Sequence, residues 1–169
     1  RFRYIVSAEE VPSTPMRCVT VANASGLFLA GRSMVVTHNS YALLLEPLYH
    51  IANAKFGGVI FRRTSPQLTG AGSLWEDAND LYRPLGASLR ESPTLSAQFP
   101  SGAMLQFLHL QHASDVYDHQ GKQYAFIGFD ELTHFEASQF WYLVSRLRSM
   151  SGVKPYMRCT TNPDPDSFV

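Results

Sequence analysis

The sequence predicts two unlike pieces in one chain. Residues 1–39 read as a β-rich segment, and residues 40–169 as an α/β segment with a mostly parallel sheet, each incomplete at its outer end. Three observations carry this. Before residue 40 the apolar residues fall in short runs parted by polar turns, with no helical period. After it, strand-like runs alternate with helix-like ones, the order that builds parallel sheets. The chain also starts with Arg1 rather than Met and stops at "TTNPDPDSFV", which reads as two cuts through something longer.

In the first segment, "RFRYIVSA", "RCVTVA", "LFLAG" and "MVVTH" are strand candidates, separated by a proline-bearing loop and an "NASG" turn. In the second, "YALLLEPLYHIANA" places Leu44, Leu48 and Ile51 at helical spacing, and Pro47 predicts a kink inside that helix. "GGVIFRRT" is a buried strand, and "LSAQFPSGAMLQFLHL" is two strands about a Pro-Ser-Gly turn. "YAFIGFDEL" is a strand that ends in two carboxylates. "EASQFWYLVSRLRSM" is a helix with Phe140, Leu143, Val144 and Leu147 on one face. "YMRCTTNP" is a last strand, stopped by Pro163.

Composition bounds the function classes. With 45% hydrophobic and 17% charged residues, the 169-residue chain is globular. Its formal net charge is zero, so any contact with nucleic acid has to come from a local patch or from further partners. No apolar run reaches membrane-spanning length and the start is not a signal peptide, so no membrane partner is expected. Cys18 and Cys159 lie far apart without pair spacing, which argues against a disulfide framework or zinc site and fits a cytoplasmic setting.

The carboxylate strand is the sharpest signal after residue 40. Open α/β sheets bind ligands at the carboxyl ends of their strands, and "YAFIGFDEL" delivers Asp130 and Glu131 there. A Walker B strand needs this pair: the Asp holds the magnesium shell, and the Glu orients or deprotonates the attacking water. Simple capping of the next helix by acids is the alternative. A Walker B strand also needs a phosphate loop ending in Gly-Lys-Ser or Gly-Lys-Thr. No such loop occurs, but Ser40 directly precedes a helix, where the last residue of the loop would stand. The loop thus reads as interrupted just before its final residue.

With "VIFRRT", "DVYDHQGKQYAFIGFDEL", "TTNP" and the helix after Ser40, residues 40–169 resemble part of the ATPase domain of the terminase large subunit of tailed bacteriophages, a P-loop NTPase that packages DNA. The resemblance implies ATP and Mg2+ as cofactors, with Ser40 and Asp130 at the metal. It assigns coupling of hydrolysis to motion to Thr160, Thr161 and Asn162, whose plainer explanation is a strand ending in an Asn-Pro turn. DNA and other packaging-motor subunits follow as partners, and the cytoplasm of a bacterial host as the location. The family's upstream strand, adenine-binding segment and P-loop lysine, and its C-terminal nuclease, are not in the 169 residues. Arg62 and Arg63 read as a solvated strand end in preference to phosphate or subunit contacts, and His109, His112 and His119 as surface or packing residues.

"SMVVTHNS", at 33–40, raises a separate question. A turn capping the next helix accounts for Asn and Ser, but not for their order after His. Asn39 can close its side-chain amide onto its own carbonyl and break the Asn39–Ser40 bond, an intramolecular step that orientation accelerates. His38 can protonate the leaving amine. Ser40 offers a hydroxyl to receive an upstream acyl group. The first 39 residues therefore resemble the C-terminal piece of an intein, a β-rich Hint fold. "CVTVANASGLFLAG", with Cys18 where most inteins carry Asp, and with Thr37, resembles the class 3 subgroup, in which the internal Cys is the first nucleophile. The plain alternative for Cys18 is a small buried strand residue.

That resemblance implies trans-splicing without a cofactor. The partner is a complementary N-terminal intein fragment carrying the upstream host segment, and the host ATPase stays inactive until its loop is completed. A naturally split intein is preferred over a contiguous one cut in two. At 39 residues the piece is too small to sustain its own core, so partial disorder is expected without the complement. Two alternatives stand beside this: the same intein piece in another P-loop motor such as a helicase, and a noncatalytic β module fused to an α/β binding domain.

Overall fold

The computed structural model describes residues 28–30, 35–37, 39–162 and 164–169, with side chains described from Ser40 onward. Of the four strands expected before residue 40, the last two fall within this range. Strands β1 (Phe28–Ala30) and β2 (Val35–Thr37) pair antiparallel, with Phe28 opposite Thr37. The first two predicted strands, Cys18 and His38 lie outside the described residues.

Helix α1 runs Asn39–Leu45 and gives way to a 3₁₀ helix over Glu46–His50. The single kinked helix expected from Tyr41 is therefore corrected. The α-helix stops at Leu45, and Pro47 stands in the first turn of the 3₁₀ segment, where its missing N–H leaves no bond unmade. Strand β3 (Gly57–Arg62) follows as expected.

Next come α2 (Ser65–Thr69), α3 (Leu74–Tyr82) and β4 (Ser88–Arg90), a stretch to which the sequence reading assigns no element. The signals for α3 are nonetheless there. Ser73 caps it by accepting from the Glu76 N–H at 3.4 Å, and Leu74, Trp75, Ala78 and Tyr82 form its buried face.

Strands β5 (Leu95–Gln98) and β6 (Met104–His109) flank the Pro-Ser-Gly turn as predicted and pair antiparallel. After β7 (Phe126–Phe129), α4 covers only Ala137–Val144, and β8 (Tyr156–Cys159) closes the sheet. The longer helix predicted to include Leu147 is corrected too. The chain turns extended there: the Tyr124 N–H donates to Arg146 O at 3.0 Å, and the Arg148 N–H to Tyr124 O at 3.1 Å.

The six strands β3–β8 form one sheet in the order β4-β5-β6-β3-β7-β8. The four on the β6-to-β8 side are parallel, and β4 and β5 add an antiparallel edge, so the mostly parallel α/β expectation holds. Both faces of the central strands are covered. Ile60 and Phe126 pack with Leu43, Leu44, Trp75 and Tyr82 on one side; Val59, Phe61, Ile127 and Phe129 pack with Leu132, Phe135 and Leu143 on the other. Burying side chains of this size contributes roughly 1.5–3 kcal/mol each. Gly128 is what lets α1 sit close to β7, since a Cβ there would lie 3.3 Å from Leu43 Cδ1 and 3.1 Å from Ile60 Cγ1. No helix among the described residues is long and apolar enough to cross a membrane.

Candidate functional site

The parallel register sets the site. Phe61 on β3 lies opposite Phe129 on β7, so the next residues, Arg62 and Asp130, emerge side by side at the carboxyl ends of their strands. The Asp130 N–H still bonds Phe61 O at 2.9 Å. On the other flank the Thr160 N–H bonds Phe129 O at 2.9 Å and brings the end of β8 alongside. Helix α1, packed over Gly128, supplies Ser40 from the start of its first turn.

These elements converge on Asp130, which is fully buried. Its Oδ1 accepts from Ser40 Oγ at 2.9 Å and from Thr160 Oγ1 at 2.5 Å. Its Oδ2 lies 2.5 Å from Arg62 Nε as an ion pair. The Nε–H is not aimed along that contact, so both buried atoms lack a well-directed hydrogen bond. Closeness decides that the charges are paired; direction decides that the carboxylate oxygen still has room for a better partner.

Glu131 turns sharply away. Its backbone is left-handed (φ 58°, ψ 62°), uncommon for a residue with a side chain. Thr160 holds the turn, its Oγ1 accepting from the Glu131 N–H at 3.1 Å and its carbonyl from the Leu132 N–H at 2.8 Å. The turn sends the half-buried Glu131 carboxylate to Asn162, whose Nδ2 is 3.0 Å from each carboxylate oxygen.

Ser40, Asp130, Glu131, Thr160 and Asn162, singled out from sequence, thus form one constellation. Thr161 does not join it; its hydroxyl bonds the carbonyl of Asn162. Thr37 closes β2 and Asn39 opens α1.

The solvated strand end expected at Arg62 and Arg63 is corrected. Arg62 is the counter-ion of a buried Asp. Arg63 donates from Nη1 to Leu110 O at 3.0 Å and to Gln139 Oε1 at 2.6 Å, tying β3 to α4. Gln139, which sequence reading passed over, is fully buried; its Nε2 donates to His112 O and Leu110 O, and its Oε1 also accepts from the Glu136 N–H.

Among the histidines, His109 and His112 are exposed and His119 is buried, its Nδ1 2.8 Å from Tyr124 Oη and its ring edge-on to Phe61. Burial, helped by the Lys122 charge, lowers the His119 pKa to about 4.

The donor set suits a hard cation. Asp130 and Ser40 offer adjacent oxygens of the kind Mg2+ takes, and Oδ2 is a buried carboxylate oxygen with no directed donor. Among the described residues no group of three His, Cys, Asp or Glu side chains could enclose a metal alone. Water and phosphate oxygens would complete the shell, as is usual for Mg2+ at nucleotide sites.

A sheet that gathers a buried Asp, a Glu and a helix-borne Ser at the carboxyl ends of its parallel strands belongs to the class of α/β domains that bind ligands at that end. Residues 39–169 match the family described as terminase large subunit, T4likevirus-type, N-terminal, and the chain belongs to that family. Among solved structures, the N-terminal domain of the DNA packaging ATPase from bacteriophage phi29 shares the fold. Its TM-score is 0.52 and its sequence identity 14%, over 76% of this chain and 69% of that one. The replicative DNA helicase DnaB of Mycobacterium leprae (strain TN) is 61% identical over 36 residues, which are 21% of this chain. The chain spans 6% of the length of that helicase.

Proposed function

We propose that residues 40–169 are part of a DNA-packaging ATPase and that residues 1–39 are the C-terminal fragment of an intein that must splice out before the ATPase can work. The observation that carries the first half is the 2.9 Å hydrogen bond from Ser40 Oγ to Asp130 Oδ1. It joins the residue read as the last of a phosphate loop to the residue read as the Walker B Asp, the two groups that share the cation of a P-loop site.

In this reading Ser40 and Asp130 hold the cation, and Glu131 orients the attacking water. Asn162 fixes the direction of the Glu131 carboxylate, and Thr160 ties that turn to the end of β8. Bound Mg-ATP supplies the phosphoanhydride that is cleaved and the cation that offsets its charge. Among the described residues β8 ends the sheet beside β7, the strand that leads into Asp130 and so toward Ser40, with Arg158 and Cys159 exposed. That edge suits a further parallel strand running into the loop that ends at Ser40.

The splicing half rests on residue chemistry. The Asn39 side-chain nitrogen attacks its own carbonyl carbon and forms a succinimide, releasing the Ser40 amine, with His38 supplying the proton. Beforehand the Cys18 thiolate attacks the peptide carbonyl that joins the upstream segment to the N-terminal intein fragment, releasing that fragment's amine and holding the acyl group as a thioester. The Ser40 hydroxyl then takes the acyl group as an ester and frees the thiol, and the ester rearranges to an amide once the Ser40 amine is free. Supporting this division, the terminase match begins at residue 39, within one residue of the expected junction. The helicase host is the weaker alternative, because the family matched over residues 39–169 is the terminase large subunit.

Mixing the chain with its N-terminal complement tests both halves at once. ATP hydrolysis should be absent from the chain alone and should appear in step with ligated product. Substantial hydrolysis by the unspliced chain, or undiminished ligated product from the Asn39→Ala chain, overturns the reading.

A further inference from the structure

We propose that Arg62 is a displaceable cation built into the site: its guanidinium neutralises Asp130 while the metal is away and yields the carboxylate to a divalent cation. The inference rests on the reading of Asp130 as a cation ligand. A fully buried carboxylate needs a compensating charge. Ser40 and Thr160 are neutral donors, and both serve Oδ1. The charge on Oδ2 is met by Arg62.

The manner of that contact is what makes it displaceable. An arginine committed to a structural pair frequently presents two parallel N–H groups to the two carboxylate oxygens. Arg62 approaches with Nε alone, and its N–H is not directed at the oxygen. Its neighbour shows the contrast: Arg63 is anchored by directed bonds to Leu110 O and Gln139 Oε1. The Arg62 side chain keeps 18% of its surface exposed while Asp130 keeps none, so the arginine has a way out toward solvent and the carboxylate does not. A hard cation at Oδ2 would repel the guanidinium, and the released arginine would be positioned for phosphate oxygens, which guanidinium groups bind well. The pair therefore holds the empty site in shape and sets a threshold for metal entry.

Mn2+ is the probe, followed by electron paramagnetic resonance on the 169-residue chain near pH 7.5. Wild type should bind weakly, Arg62→Gln at least about tenfold more tightly, and Arg62→Lys close to wild type because the positive charge is kept. The double variant Arg62→Gln/Asp130→Asn should lose the tightened binding. In parallel melts, Mg2+ should raise the Tm of Arg62→Gln and leave that of wild type nearly unchanged. A folded Arg62→Gln that binds Mn2+ no more tightly than wild type overturns the inference, while loss of the residual wild-type binding in Asp130→Asn would leave the cation-ligand reading standing. Tightened binding that survives Asp130→Asn sinks the cation-ligand reading itself. Should Arg62→Gln fail to fold without metal, millimolar Mg2+ should restore it. No restoration, in the face of a well-folded double variant, counts against the proposal.

Discussion

Asn162 Nδ2 stands 3.0 Å from both carboxylate oxygens of Glu131, so a single amide fixes the direction of the acid proposed to position water. The left-handed backbone of Glu131 turns its carboxylate toward that amide. Such a conformation costs of order 1–3 kcal/mol in a residue with a side chain, and Thr160 sustains it with two bonds.

Replacing Glu131 by Gln should therefore leave splicing intact and lower ATP turnover of the ligated product by about 100-fold or more, the usual worth of a positioned base. Asn162→Ala should lower kcat by about tenfold with little effect on KM, since the acid stays but loses its orientation. Asn162→Asp should be worse, because it sets two carboxylates against each other. Steady-state hydrolysis by purified ligated product measures all three. Normal turnover in the Gln variant would remove Glu131 from the mechanism.

The proposed splicing is tested by its own pair of variants. On the proposed splicing chemistry, Asn39→Ala removes the amide nitrogen that would close the ring, so the Asn39–Ser40 bond should stay intact while the upstream acyl group still transfers. Cys18→Ser should slow the first step sharply, because an alcohol is a far weaker nucleophile than a thiolate near neutral pH. Mass spectrometry of the mixed fragments, with hydroxylamine to trap thioester, separates the two blocks. Undiminished ligation by Asn39→Ala would place the junction elsewhere, and normal thioester trapping in Cys18→Ser would do the same for the nucleophile.

How much of this was legible beforehand differs from element to element. Strand β7 and its carboxylates could be read because a buried parallel strand is a continuous apolar run, and acids at its end break that run abruptly. Helix α3 was legible too, from Ser73, Glu76 and the apolar residues after them, but its buried face includes only one strongly hydrophobic aliphatic, Leu74. Arg62 was not legible. Its partner is fixed by the pairing of Phe61 with Phe129, a register between strands far apart in sequence. Nothing local distinguishes it from Arg63, which took a different partner in α4. The mistaken extent of α4 has a similar origin. Leu147 keeps the helical spacing, but Tyr124 offers a strand-like partner at that point.

The buried imidazole of His119 predicts a pH dependence of stability. Its folded pKa, about 4, lies below the ordinary value of 6.5, chiefly through burial and then through the Lys122 charge, with Asp118 and Asp115 acting the other way. Between those values the unfolded chain binds more protons than the folded one, so stability rises with pH. The contribution is complete above about pH 6.5 and is lost as pH falls through about 4, at most about 3 kcal/mol in all. His119→Gln keeps a hydrogen-bonding group for Tyr124 and cannot titrate. Urea midpoints from pH 7.5 to 4 should fall less steeply in that variant. Equal slopes would show that His119 titrates normally in the folded chain.

Gly128 tests whether the packing of α1 controls the site. A Cβ at this position would meet Ile60 Cγ1 at 3.1 Å and Leu43 Cδ1 at 3.3 Å, and Leu43 belongs to the helix that carries Ser40. Gly128→Val adds branched bulk to that contact and should destabilise the fold by about 1–3 kcal/mol through overpacking. Relief by outward movement of α1 would lengthen the Ser40–Asp130 contact, so ligated product should also lose ATPase activity beyond what its folded fraction explains. Gly57→Ala is the control on β3, because a Cβ there meets nothing within 4 Å; it should be neutral in both measurements. Urea denaturation and turnover per folded molecule decide the matter. A destabilised Gly128→Val with full specific activity would mean that the sheet absorbs the added bulk and that the seat of α1 does not govern the site.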